Sequence, residues 1–102
     1  RDRRYIDSNY SQNITLDSLA EITHINKFYL AHSFTECVGQ SPINYLTDRR
    51  LEACKGLLVS SNLSVAQVAT SVGFSSQSYF SQIFRKKTGM TPRQYRSRYA
   101  RK

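Results

Sequence analysis

The sequence predicts an all-α domain of about seven helices, organised as two tandem helix-turn-helix units joined by a long linker helix. Three observations predict it. Apolar residues recur at helical rather than strand spacing. Small polar N-caps and glycine stops punctuate the chain at short intervals. The second half also repeats the first: Ile14-Thr15-Leu16-Asp17-Ser18-Leu19-Ala20 aligns with Leu63-Ser64-Val65-Ala66-Gln67-Val68-Ala69 at an offset of 49. One inserted residue later the offset is 50, and Leu30, Phe34, Gly39, Pro42 and Tyr45 fall on Phe80, Phe84, Gly89, Pro92 and Tyr95.

Residues 1–11 offer Tyr5, Ile6 and Tyr10 as the apolar side of a short leading helix. In the first unit (about 14–38), Leu16, Leu19, Ala20 and Thr23 follow the i, i+3, i+4, i+7 pattern, with Thr15 where an N-cap belongs. The turn His24-Ile25-Asn26 follows; histidine is one of the few non-glycine residues that visits the left-handed region, and Asn26 can cap the next helix. That helix would bury Leu30 and Phe34 and stop at Gly39. Ser41-Pro42 opens the linker helix, about 42–59, with an N-cap and a proline at the first helical position. Ile43, Leu46, Arg50, Ala53 and Leu57 mark one of its faces, with Leu51, Cys54 and Leu58 beside it.

The second unit (about 63–88) repeats the scheme. Val65, Val68, Ala69 and Val72 form the apolar stripe, and Ser64-x-x-Gln67 has the form of a capping box. Gly73 suits a left-handed turn, Ser75 or Ser76 caps the next helix, Phe80, Ile83 and Phe84 face inward, and Gly89 ends it. Thr91-Pro92 starts a last helix carrying Tyr95 and Tyr99.

At 102 residues the chain is read as a single domain. It has no apolar run of the roughly 18 residues a membrane span needs and no secretory signal pattern, so the expected location is cytoplasmic. It opens on Arg1-Asp2-Arg3-Arg4 without an initiator methionine, as a piece cut from a longer protein would. Cys37 and Cys54, with only two histidines to help, do not make a zinc site or a disulfide framework; both are expected to pack, and no cofactor or metal is expected.

The net charge is +8, unevenly spread. All seven acids lie in residues 1–52 against six bases, leaving that half at −1, whereas residues 53–102 carry nine bases and no acid. A strongly basic half calls for a polyanion. Nucleic acid fits better than anionic membrane, because the apolar helix faces are needed for a core.

In a helix-turn-helix the second helix enters the major groove and its outward residues read base edges. A linker of about 17 helical residues spans roughly 26 Å, the right order for two units reading boxes about one turn, near 34 Å, apart. With two different reading heads in one chain, the site should be asymmetric. In the second unit Gln77, Ser78, Ser81, Gln82 and Arg85 point away from the core; glutamine suits adenine, serine either base type, arginine guanine or phosphate. Arg85-Lys86-Lys87 reads either as a solvated helix end or as phosphate contacts, and Ser76 as a contact at the helix start. In the first unit Phe28 could pack on bases or sugars, Ala31 could touch a thymine methyl, His32 could donate to guanine, and Asn26, Lys27 and Thr35 flank them as phosphate or base contacts. Asp17, Glu21 and Glu36 stand near these.

The run Gly73-Phe74-Ser75-Ser76-Gln77-Ser78-Tyr79-Phe80-Ser81-Gln82-Ile83-Phe84-Arg85-Lys86, then Gly89-Met90-Thr91-Pro92 and Tyr95-Arg96, resembles the C-terminal signature of the AraC/XylS transcription regulators. Leu16, Leu19-Ala20, Leu30, Phe34, Gly39, Tyr45-Leu46, Arg50-Leu51 and Leu57-Leu58 resemble that family's first unit and linker, so the likeness covers roughly residues 5–97. It implies seven helices, of which the third and sixth enter adjacent major grooves, and places base contacts on Phe28, Ala31 and His32 and on Gln77, Ser78, Ser81 and Gln82. The chain departs from the family at His32 and Gln82, where arginine is frequent, and at Cys54, where alanine is usual. Most members carry a separate effector-binding domain upstream; some follow a receiver domain, and a minority stand alone. The resemblance also implies RNA polymerase as a partner and a monomeric isolated domain.

Two other function classes compete with this one. In one, the first unit serves as a surface for polymerase or a partner domain, as Asp17, Glu21, Asp48 and Glu52 suggest, and only the second reads DNA. An enzyme finds no support: there is no nucleophile–base pair, phosphate-binding loop or metal set, and none of the extra cysteine clusters used by DNA-repair proteins that share this fold.

Overall fold

The computed structural model describes residues 2–100, so Arg1, Arg101 and Lys102 of the charge tally lie outside the described residues. Seven helices and no strand occur among them: α1 (Asp2–Asn9), α2 (Leu16–Thr23), α3 (Lys27–Val38), α4 (Pro42–Ser60), α5 (Val65–Ser71), α6 (Gln77–Thr88) and α7 (Pro92–Tyr99). None of these helices is long and apolar enough to cross a membrane. The helices group into two compact units, residues 1–49 and 50–102, with α4 divided between them.

The first unit closes around Ile6, Ile14, Leu19, Leu30, Phe34 and Leu46, flanked by Tyr5, Tyr10, Leu16, Ile25, Val38 and Tyr45. Thr15 caps α2 in a reciprocal box with Ser18, and Asn26 caps α3 by accepting from the amides of Phe28 and Tyr29. Between them His24 adopts φ 58°, the one non-glycine left-handed residue among those described. The Ile25 amide then donates to Ala20 O at 3.2 Å, folding the turn back on α2. The leading helix is tied down by Asp7, whose Oδ1 accepts from the Tyr45 hydroxyl at 2.6 Å and from Arg49 Nε at 3.0 Å. Burial and the neighbouring Asp7 carboxylate push the Tyr45 hydroxyl above its ordinary pKa.

In the second unit Leu51, Cys54, Leu58, Val68, Ala69, Val72, Phe74, Phe80 and Phe84 are buried. Ser64 and Gln67 form the expected capping box, Ser76 caps α6, and Thr91 caps α7 with Pro92 in its first turn. The Phe74 amide donates to Ala69 O at 3.0 Å, the same closure as in the first unit. Arg96 donates from Nε to Leu58 O at 2.9 Å and from Nη2 to Ser61 O at 3.4 Å. It thereby satisfies carbonyls that the end of α4 leaves without helical partners.

Three packing expectations need correction. The buried stripe of α4 is Leu46, Leu51, Cys54 and Leu58, whereas Ile43 is 40% exposed. The five-residue step from Leu46 to Leu51 breaks the helical spacing because the helix passes from one core to the other. Cys37 is exposed on α3 and only Cys54 packs. Ile83 is half-buried rather than a full core residue.

Candidate nucleic-acid interface

The duplication seen in sequence recurs in three dimensions. From Leu30 to Tyr45 and from Phe80 to Tyr95, every pair of positions has the same degree of burial. Phe34 meets Tyr45 edge-on at 5.7 Å and Phe84 meets Tyr95 edge-on at 5.5 Å. Gly39 and Gly89 end α3 and α6 at φ 92° and 82°, their amides donating to Thr35 O and Arg85 O. Both α3 and α6 are thus held from behind by a preceding helix and a C-terminal aromatic contact. Each presents a solvated face set by one inward stripe.

On α6 that face carries Gln77, Ser78, Gln82, Arg85 and Lys86, all exposed, with Ser81 half-buried among them. Helical spacing brings Ser78, Ser81, Gln82 and Arg85 onto one side, a row of hydrogen-bonding groups ending in cations. Ser76 Oγ is engaged as the helix cap, accepting from the Tyr79 amide at 3.2 Å, and retains its own proton to donate. Arg85, Lys86 and Lys87 occupy the last turn, where cations also suit the negative end of the helix dipole. That accounts for a cation there, but not for three.

On α3 the same spacing aligns Phe28, Ala31, His32 and Thr35. Phe28 is 72% exposed, an unusual place for a ring that could have packed. Several neighbours are already engaged. Asn26 Oδ1 is used by the cap. Thr35 Oγ1 donates to Ala31 O at 2.7 Å. Lys27 Nζ lies 3.0 Å from Asp17 Oδ1 and 5.5 Å from the Phe28 ring centre. An exposed ion pair of this kind contributes at most about 1 kcal/mol, so Lys27 can exchange Asp17 for another anion at little cost. His32 Nε2 lies 3.5 Å from Glu36 Oε2.

Glu36, expected near these contacts, stands on the α3 face itself, one turn beyond His32, where α6 has Lys86. One feature escaped the sequence reading: Tyr79 is 52% exposed beside the α6 face, as its repeat equivalent Tyr29 is 65% exposed beside that of α3. The repeat alignment was the available signal.

Comparison with known proteins agrees with this geometry. A family model described as a helix-turn-helix domain matches residues 19–98. The bifunctional transcriptional activator/DNA repair enzyme AdaA of Bacillus subtilis is 35% identical over 92 residues, covering 90% of this chain but 44% of AdaA. The chain thus spans less than half of that relative's length. The C-terminal domain of AraT, a response regulator from Geobacillus stearothermophilus, superposes with a TM-score of 0.96 at 37% identity, covering 100% of this chain and 85% of that one. The DNA-binding domain of the global transcriptional factor AdpA, solved with a target DNA, superposes with a TM-score of 0.90 at 25% identity over 94% of this chain and 86% of that one. With two helix-turn-helix units, a family match across most of its length and neighbours of this kind, the chain belongs to the AraC-type helix-turn-helix family of DNA-binding transcription regulators.

Proposed function

We propose that both units read bases, α3 and α6 each entering one of two adjacent major-groove segments of an asymmetric duplex site. The observation that supports this most strongly is the position-by-position repetition of burial between the two helices. It leaves the same outward positions available in each unit and fills them with different side chains. Gln77, Ser78, Ser81 and Gln82 contact base edges in one box, and Arg85, Lys86 and Ser76 contact its phosphates. In the other box Phe28 and Ala31 supply apolar contacts suited to thymine methyl groups, and His32 donates to a base acceptor. Lys27 anchors that helix, Asn26 through its amide group and Thr35 through its hydroxyl oxygen lie at the edge of the contact. The domain acts as a monomer, inside the cell, and works with RNA polymerase to regulate transcription.

A second reading is favoured by one feature, the placement of Glu36 and the Lys27–Asp17 pair on or beside α3. Acidic groups there would oppose phosphate and suit a protein surface instead. Selection of binding sites from random duplex DNA at about 0.15 M salt, followed by footprinting, separates the two. Two distinct boxes about one helical turn apart support bipartite reading. A single box would reassign the first unit to protein contact.

A further inference from the structure

Arg50 is a cation in the middle of α4. It stands one turn before the buried Cys54 and is itself half-buried. Burial lowers its pKa from the ordinary arginine value, with Tyr79 acting in the opposite sense. Its guanidinium lies over the ring of Phe74, 5.6 Å from the centre. Phe74 is the apolar residue of the turn between α5 and α6, 6% exposed. Its ring reaches on to Phe80 at 5.2 Å and Tyr79 at 6.2 Å, both in the first turns of α6. Those turns also carry Gln77 and Ser78. A planar guanidinium lying over a ring ties α4 to the turn that carries the ring, and it does so with less freedom than a flexible ammonium would leave. In the first unit Ile25 occupies the place of Phe74, so no ring is offered to a cation there.

We propose that Arg50 is a positioning residue for base reading by α6: stacked on Phe74 and adjacent to Tyr79, it fixes the turn and the first residues of that helix so that Gln77, Ser78 and Gln82 meet base edges in one orientation. It touches no DNA itself. The inference rests on α6 being a base-reading helix, and Gln82→Ala serves as the control for that assumption.

The experiment measures binding of Arg50→Met and Arg50→Lys to the selected duplex, to single-base variants of it and to a scrambled duplex, with thermal unfolding followed in parallel. Arg50→Met keeps the stem and removes the planar cation; Arg50→Lys keeps the charge but stacks less well. The expected result for Arg50→Met is about a tenfold loss of specific affinity. Discrimination should fall at the base pairs that Gln82→Ala also affects and persist in the other box, with scrambled-duplex binding and salt dependence unchanged. Arg50→Lys should recover part of the loss. Equal losses on specific and scrambled DNA, loss spread over both boxes, or full discrimination in Arg50→Met would each overturn the proposal, provided Gln82→Ala discriminates less. If Gln82→Ala changes nothing, base reading by α6 is what fails. Should Arg50→Met not fold, Phe74→Leu removes the ring and keeps apolar volume; it must lose discrimination in the same box, and a wild-type profile would refute the stacking role.

Discussion

The helices α3 and α6 are built on one scaffold and finished for different work. Their caps, glycine stops, inward stripes and edge-on aromatic contacts coincide. The difference lies in what faces solvent. Thr35-Glu36-Cys37 in the first unit stands where Arg85-Lys86-Lys87 stands in the second. One segment carries a single negative charge and the other three positive charges. The first unit offers an exposed phenyl ring and a histidine, the second a row of amides and hydroxyls. What this teaches is that the inward residues of such a unit fix where a helix lies, while the outward residues set how it binds. The proposed bipartite reading predicts that electrostatic affinity comes mainly from the second unit and that the first contributes shape and apolar contact.

The largest expected effect tests the common scaffold. Phe84→Ala and Phe34→Ala each remove a buried ring and should destabilise by about 3–5 kcal/mol in urea unfolding. A cost confined to one of them would break the equivalence of the units. Next comes Gln82→Ala, expected to cost about 1–3 kcal/mol on the specific site while sparing random DNA. Equal losses on both would remove Gln82 from base reading. The exchange Lys86→Glu and Glu36→Lys then sharpens the electrostatic contrast. In plots of log affinity against log salt, Lys86→Glu should flatten the slope by about 0.9 and Glu36→Lys steepen it by a similar amount. No change in either slope would place both residues away from phosphate.

The smallest effect concerns the two cysteines. Burial pushes the Cys54 thiol up to about 12. Its folded pKa being above the unfolded value near 9, its contribution to stability is complete below about pH 9 and is lost as the pH rises toward 12. At pH 8 a thiol reagent should label the exposed Cys37 quickly and Cys54 only on unfolding, as mass spectrometry of timed samples would reveal. Equal labelling of both would contradict the burial of Cys54.

Most of the scaffold was legible because it is written in local chemistry. Thr15, Asn26, Ser64, Ser76 and Thr91 satisfy helix amides within three residues of themselves, and His24 and the glycines mark turns by backbone preference alone. The α4 stripe was harder, since one helix serving two cores has no single hydrophobic period to read. Cys37 illustrates a related limit: a helical pattern says that a residue is on a helix, and only the packed neighbours say which side is closed. In the candidate interface, the outward residues followed from the inward stripe. The Lys27–Asp17 pair and the Arg50–Phe74 stack join residues 10 and 24 positions apart in the chain, so no local rule announces them.

The most direct test of bipartite reading pairs Phe28→Ala and Gln82→Ala with a base-pair scan of the selected site. Affinity for every single-base substitution is measured with wild type and both variants. Bipartite reading predicts that each variant becomes indifferent to substitutions in one box only, and that the two boxes differ. For Phe28→Ala this should include loss of the penalty for replacing thymine by uracil. Loss of discrimination in one shared box, or none at all for Phe28→Ala, would contradict it and leave α6 as the sole reading helix.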